Sequence, residues 1–233
     1  MLGNGRDDLE ENEIEVWHWP PGAIELLKHG HTGIRCMNHI YSFWPDSKGY
    51  EEGTAVVAPG YEAEDISRFA KWVNPPFWGY FRGIITRDTL YQSANRFYET
   101  DTRNPKEISK HPVSGGWILK GPKLPTVTVY RIPATAEIVY AANKNLELLR
   151  ESPPVYSAAK KLFCTPLVRD VLYDSGLEFV QDLDVRRPVS FAEGFEALVE
   201  NKSSQIEKEV RVLGIVDDGV AEPKFTWIIS QEE

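Results

Sequence analysis

Residues 155–177, VYSAAKKLFCTPLVRDVLYDSGL, decide how the rest of the chain is read, because they set a cysteine where a helix begins. Leu167, Val168, Val171 and Leu172 fall at i, i+1, i+4 and i+5, the spacing of one helical face. Thr165 and Pro166, a capping residue type and a proline suited to a first turn, open the segment, and Gly176 closes it. The spacing predicts a helix over 165–174 with Cys164 at its N-terminus. There the helix dipole and the free N–H groups favour thiolate over thiol. The same N–H groups, of Cys164 and Thr165, are placed to hold an oxyanion once the sulfur attacks a carbonyl. The competing reading of Cys164 is a small buried hydrophobe, the commonest role of a free cysteine. A partner elsewhere in the chain has to decide between the two.

Composition narrows the field. The chain has 233 residues, enough for a substantial core, and a formal charge of −9. That charge argues against nucleic acid as a partner, since phosphate binding needs a basic surface. It also argues against electrostatic adsorption to anionic membranes, while leaving apolar contact with lipid open. No apolar run approaches the ~18 residues of a transmembrane segment. The start, MLGNGRDDLEENEIE, lacks the apolar core of a secretory signal. Residues 1–13 therefore read as a flexible acidic leader on a protein made in the cytoplasm without a cleavable signal. Two cysteines, Cys36 and Cys164, are too few for a disulfide framework. No cofactor motif is evident, and none is expected to be needed.

Working outward from the cysteine, IEVWHW at 14–19 alternates as a strand and ends at Pro20 and Pro21. Residues 31–37 and 40–44 read as two further strands joined by a tight turn at 37–39. On the first of these, His31, Gly33 and Arg35 share one face and Thr32, Ile34 and Cys36 the other. Cys36 is thus turned away from His31. Residues 63–72 have an amphipathic helical pattern, whereas 73–123 lack sustained periodicity and read as an irregular insertion with short helices near 87–98. TVTVYRI at 126–132 is a strand and 135–150 a helix. Beyond them come a helix at 190–200, capped by Ser190 with Glu193 three residues on, and two strands, EVRVLGIV and KFTWIIS.

Together, GHTGI at 30–34, YSFWP at 41–45 and FCTPLVRDVLYDSGL at 163–177 resemble the circularly permuted papain-like cysteine hydrolases. That group includes the lecithin:retinol acyltransferase-like enzymes and several bacterial effector toxins. The resemblance implies an α+β fold with a permuted papain-like core, an antiparallel sheet packed on the nucleophile helix. Residues 14–182 would be the catalytic domain, with 73–123 its irregular insertion, and 183–233 a C-terminal extension packed on the same domain. It implies His31 as the base for Cys164, and His39 or Ser42 as the third polar residue that orients the imidazole. The reaction would be acyl-bond hydrolysis or transfer, with lipid esters (phospholipase-like chemistry) as the leading substrate class. An antibacterial effector, exported by a specialised secretion system and restrained by an immunity protein, is the corresponding biological role. Phe163 departs from the asparagine usual before the nucleophile, and Pro166 is also atypical.

Three alternatives remain on the sequence. One is a peptidoglycan or peptide amidase of papain type, and another a catalytically inactive binding module on the same fold. The third makes His29, His31, His39 and Cys36 metal ligands, but their spacing matches no standard zinc motif, and no metal is expected. Trp44, Trp78 and Phe81 are candidates to line a substrate groove, with core filling as the competing role.

Overall fold

A computed structural model describes residues 12–22, 30–45, 83–100, 107–110, 117–121, 124–157, 161–201, 205–216 and 224–230. The acidic leader up to residue 11, His29, the helix expected at 63–72, and Trp78 and Phe81 lie outside the described residues.

The fold is mixed α/β, built on a curled antiparallel sheet. β1 is Glu13–Trp19, β2 His31–Cys36, β3 His39–Pro45 and β4 Gly83–Asp88. Helix α1, Leu90–Thr100, follows, then a small hairpin of β5, Glu107–Lys110, and β6, Trp117–Lys120. β7, Thr126–Pro133, leads into helix α2, Ala136–Glu151, and helix α3, Cys164–Asp174. A 3-10 turn at Glu178–Asp182, helix α4, Pro188–Glu200, and strands β8, Glu207–Val216, and β9, Lys224–Ile229, complete the described elements. The seven-stranded order is β4-β3-β2-β1-β7-β8-β9.

Local chemistry accounts for the boundaries. Met37 and Asn38 both have positive φ, 46° and 67°, as a two-residue turn between right-twisted strands requires. Thr135 caps α2 by accepting the Ile138 N–H, and Glu137 and Arg150 complement the dipole at its two ends. Helix α3 starts at Cys164, one residue earlier than the spacing predicts, with extended Phe163 as its N-cap and no side-chain cap. The Ser175 hydroxyl donates to Val171 O, and Gly176, at φ +107°, ends that helix. Helix α4 begins at Pro188 rather than at Ser190; proline in the first turn, not a serine cap, opens it.

The sheet is covered on both faces. Ile14, Val16, Ile34, Cys36, Tyr41, Phe43, Tyr130 and Ile132 point towards α2, α3 and α4 and form the larger core. Trp17, Trp19, Ile40, Val127, Val129, Leu213 and Trp227 point the other way, onto α1 with its Leu90, Ala94 and Phe97. Along β1, this is period-two alternation carried out in full. The stretch expected to be irregular contains β4, which pairs with β3 over six residue pairs, and α1 falls where the short helices near 87–98 are expected. GIITRD is a short strand whose partner lies far upstream, so local periodicity carries little of its signal. Strands β8 and β9 join the same sheet beside β7.

Candidate active site

Cys164 is the first residue of α3 and is only 3% exposed. Helix α3 packs on β2 and β3, on the face that carries Thr32, Ile34 and Cys36. Burial pushes the Cys164 thiol up, against the backbone N–H groups of Thr32, Thr165 and Cys164 and the Thr165 hydroxyl. Thr165 Oγ1 lies 3.8 Å from the sulfur and 3.4 Å from Thr32 Oγ1. The β2–β3 ladder stops at Gly33 and Ser42, one residue short of Thr32. The free N–H groups of the helix terminus and the Thr165 hydroxyl thus work against burial, in the direction that stabilises negative charge on sulfur or on an adjacent oxyanion.

His31 does not join this group. It leaves β2 on the opposite face and stacks against Trp44, with ring centroids 3.7 Å apart and planes 13° from parallel. Trp19, its direct partner on β1, flanks it at 5.4 Å. The Nε2 atom is buried and has no hydrogen-bond partner. Burial, reinforced by the nearby His18, pushes the imidazole down to about 3, so it is neutral under ordinary conditions. The expected Cys164–His31 pair is therefore not formed, and the reason is the strand period. Thr32 faces the helix layer, so His31 cannot.

The other expected participants are also dispersed. His39 sits at the turn end of β3, with Nδ1 3.0 Å from Met37 O and 3.3 Å from Arg87 Nη2. Ser42 shares the His31 side of the sheet, opposite Gly33, where a Cβ would come within 2.9 Å of its Oγ. Trp44, expected in a substrate groove, is partly buried on the face away from Cys164. Cys36 donates to Val139 O at 3.2 Å, and burial pushes its thiol up to about 12, the profile of a structural thiol. Among the described residues, no group of three or more His, Cys, Asp and Glu is placed to hold a metal ion. No described helix is long and apolar enough to cross a membrane.

Two features escaped the sequence reading. His18, between Trp17 and Trp19, is the histidine that alternation sends to the helix face, directly opposite Thr32. The pattern in IEVWHW carries that signal once the strand's core face is known. The second is an ionic cluster on the α1 side. Glu15, 1% exposed, lies 2.8 Å from Arg211 Nη2, 3.3 Å from Arg35 Nη1 and 3.5 Å from Arg131 Nε, and accepts the Trp17 indole N–H at 2.8 Å. Burial acts to raise its carboxyl, but the arginines and the indole outweigh it and hold it below the usual range. Glu209 pairs with Arg131 at 3.0 Å and contacts Arg211 as well.

Comparison of the chain with protein-family models, with curated proteins and with solved structures gave no match.

Proposed function

We propose that the chain is a cysteine-dependent acyl-bond hydrolase or acyltransferase with Cys164 as its nucleophile. The observation that carries this reading is the place of Cys164 as the first residue of α3, where the free N–H groups of a helix terminus are the donors and Thr165 Oγ1 lies 3.8 Å from the sulfur. A structural cysteine needs no such donors. A sulfur that attacks a carbonyl benefits from them twice, as thiolate and at the oxyanion. Lipid esters are the substrate class favoured by the motif resemblance, and an antibacterial effector role is the biological counterpart of that choice.

The burial of Cys164 favours a second reading, a catalytically inactive binding module in which the cysteine only starts a helix. Product release from phospholipid vesicles by the purified wild type and by Cys164→Ala separates the two. Fatty acid or lysolipid from the wild type alone is the expected result. Release of stem peptides from peptidoglycan, without lipid products, would move the substrate to cell-wall amides. No turnover of either substrate, with Cys164 inert to alkylation in the folded protein, would leave the binding module.

A further inference from the structure

A nucleophile on the helix face needs a base on that face. Strand β1 supplies one. Ile14 and Val16 belong to the core beneath the helices, while Trp17 and Trp19 belong to the opposite core, so His18 projects with Ile14 and Val16. Its direct cross-strand partner is Thr32, whose hydroxyl lies 3.4 Å from that of Thr165, the residue next to Cys164. Directly opposed residues have Cβ atoms about 4.5–5.5 Å apart, so His18 flanks the residue on which the first turn of α3 rests. His18 is 7% exposed, and its Nδ1 has no hydrogen-bond partner. On its other side the carboxylate of Glu196, on α4, favours the charged imidazole. Glu196 is itself held by the Tyr130 hydroxyl at 2.8 Å and by Lys208 at 2.8 Å.

We propose that His18 is the base that serves Cys164, with Glu196 as the positioning residue that steadies the imidazolium. The inference rests on the reading of Cys164 as the nucleophile. The imidazole takes the S–H proton as sulfur bonds to the acyl carbon, and the carbonyl electrons move onto oxygen. Collapse of that oxyanion breaks the bond from acyl carbon to the leaving oxygen or nitrogen, which takes the proton from His18. Water, or a second alcohol or amine, then gives its proton to His18 as it attacks the thioester, and the thiolate leaves and is reprotonated.

The test is the pH dependence of Cys164 alkylation by iodoacetamide in the full chain, read on the Cys164 peptide by mass spectrometry. The titratable and charged groups that face His18 are Glu196 on α4 and His31 on β2, and Glu196 is in turn held by Tyr130 on β7 and Lys208 on β8. In a thiol–imidazole pair the ion-pair fraction is constant between the two titrations, so the wild-type rate is expected to be flat across that interval. A lone thiol instead reacts about tenfold faster per pH unit until it ionises. His18→Gln is expected to lose the plateau and at least tenfold in rate at pH 6, while His31→Gln keeps both. Rescue of part of the His18→Gln rate by added imidazole is also expected. A reactive Cys164 whose plateau survives His18→Gln, or is lost in His31→Gln instead, would overturn the assignment of His18 alone. A Cys164 no more reactive in the folded wild type than in the denatured chain would overturn the nucleophile itself, and His18 with it.

Discussion

At the scale of single residues, the buried ionisable groups set the behaviour of the molecule in acid. His18 sits at about 4 and His31 at about 3, against 6.5 for a free imidazole, and burial is the main cause in both. Between those values and 6.5 the unfolded chain binds more protons than the folded one. Their contribution is complete above pH 6.5 and drains as the pH falls, by up to about 1.4 kcal/mol per pH unit for each group. Glu15, held below its ordinary range, adds a further loss once the pH drops under 4.5. His31→Phe keeps a ring between Trp19 and Trp44 and removes one titration. Urea denaturation of this variant between pH 6.5 and 4.5 should therefore show a markedly shallower decline in stability, with Cys164 reactivity unchanged. A decline as steep as the wild type's would mean that His31 is not buried neutral. Glu15→Gln strips the carboxylate from Arg35, Arg131 and Arg211 and should cost about 3–5 kcal/mol at neutral pH by the same measurement, because the guanidinium charges stay buried without it. The sequence showed little of this cluster. Glu15, Arg35, Arg131 and Arg211 are scattered along the chain, and only the pairing of β1 with β2 and β7, and of β7 with β8, brings them together.

At the scale of elements, close approach between neighbours makes two glycines diagnostic of the sheet's packing. A Cβ on Gly83, the first residue of β4, would lie 2.1 Å from Pro154 O and 2.4 Å from the Phe43 ring. The carbonyl belongs to the backbone and cannot swing aside, so Gly83→Ala should cost about 2–3 kcal/mol. At Gly214 on β8 the obstacle, also at 2.1 Å, is Ile228 Cδ1, the far end of a flexible side chain. Gly214→Ala should therefore lower Tm by clearly less than Gly83→Ala, and equal losses would mean that β4 does not run beside residue 154 as described. Strands β1, β2, β3 and β7 and helices α2 and α3 were all legible, because each carries its own alternation, turn or cap. Strand β4 was not, since its identity depends on β3. The site followed the same division. The position of Cys164 at a helix start follows from Leu167, Val168, Val171 and Leu172. Which face of β2 that helix covers is a tertiary choice, and it turns Thr32 rather than His31 towards the start of α3.

At the scale of the whole molecule, one sheet separates two interiors with different chemistry. The α1 side stacks Trp19, His31 and Trp44 beside the Glu15 cluster and has no part in the proposed reaction. On the helix side Thr32 of β2 lies between Thr165, next to Cys164 on α3, and His18 of β1, which faces Glu196 of α4. Four elements meet there only in the folded chain, so the reactivity of Cys164 should fall to that of an ordinary exposed thiol on denaturation together with the sheet. The most direct check is to trap the acyl-enzyme. The native protein is mixed with p-nitrophenyl octanoate, nitrophenolate release is followed from the first turnover, and the intact mass is read at once. The expected result is a burst of one equivalent and an octanoyl adduct on the Cys164 peptide, removed by hydroxylamine and absent from Cys164→Ser. A folded wild type that shows neither burst nor adduct would contradict the assignment of Cys164 as a nucleophile.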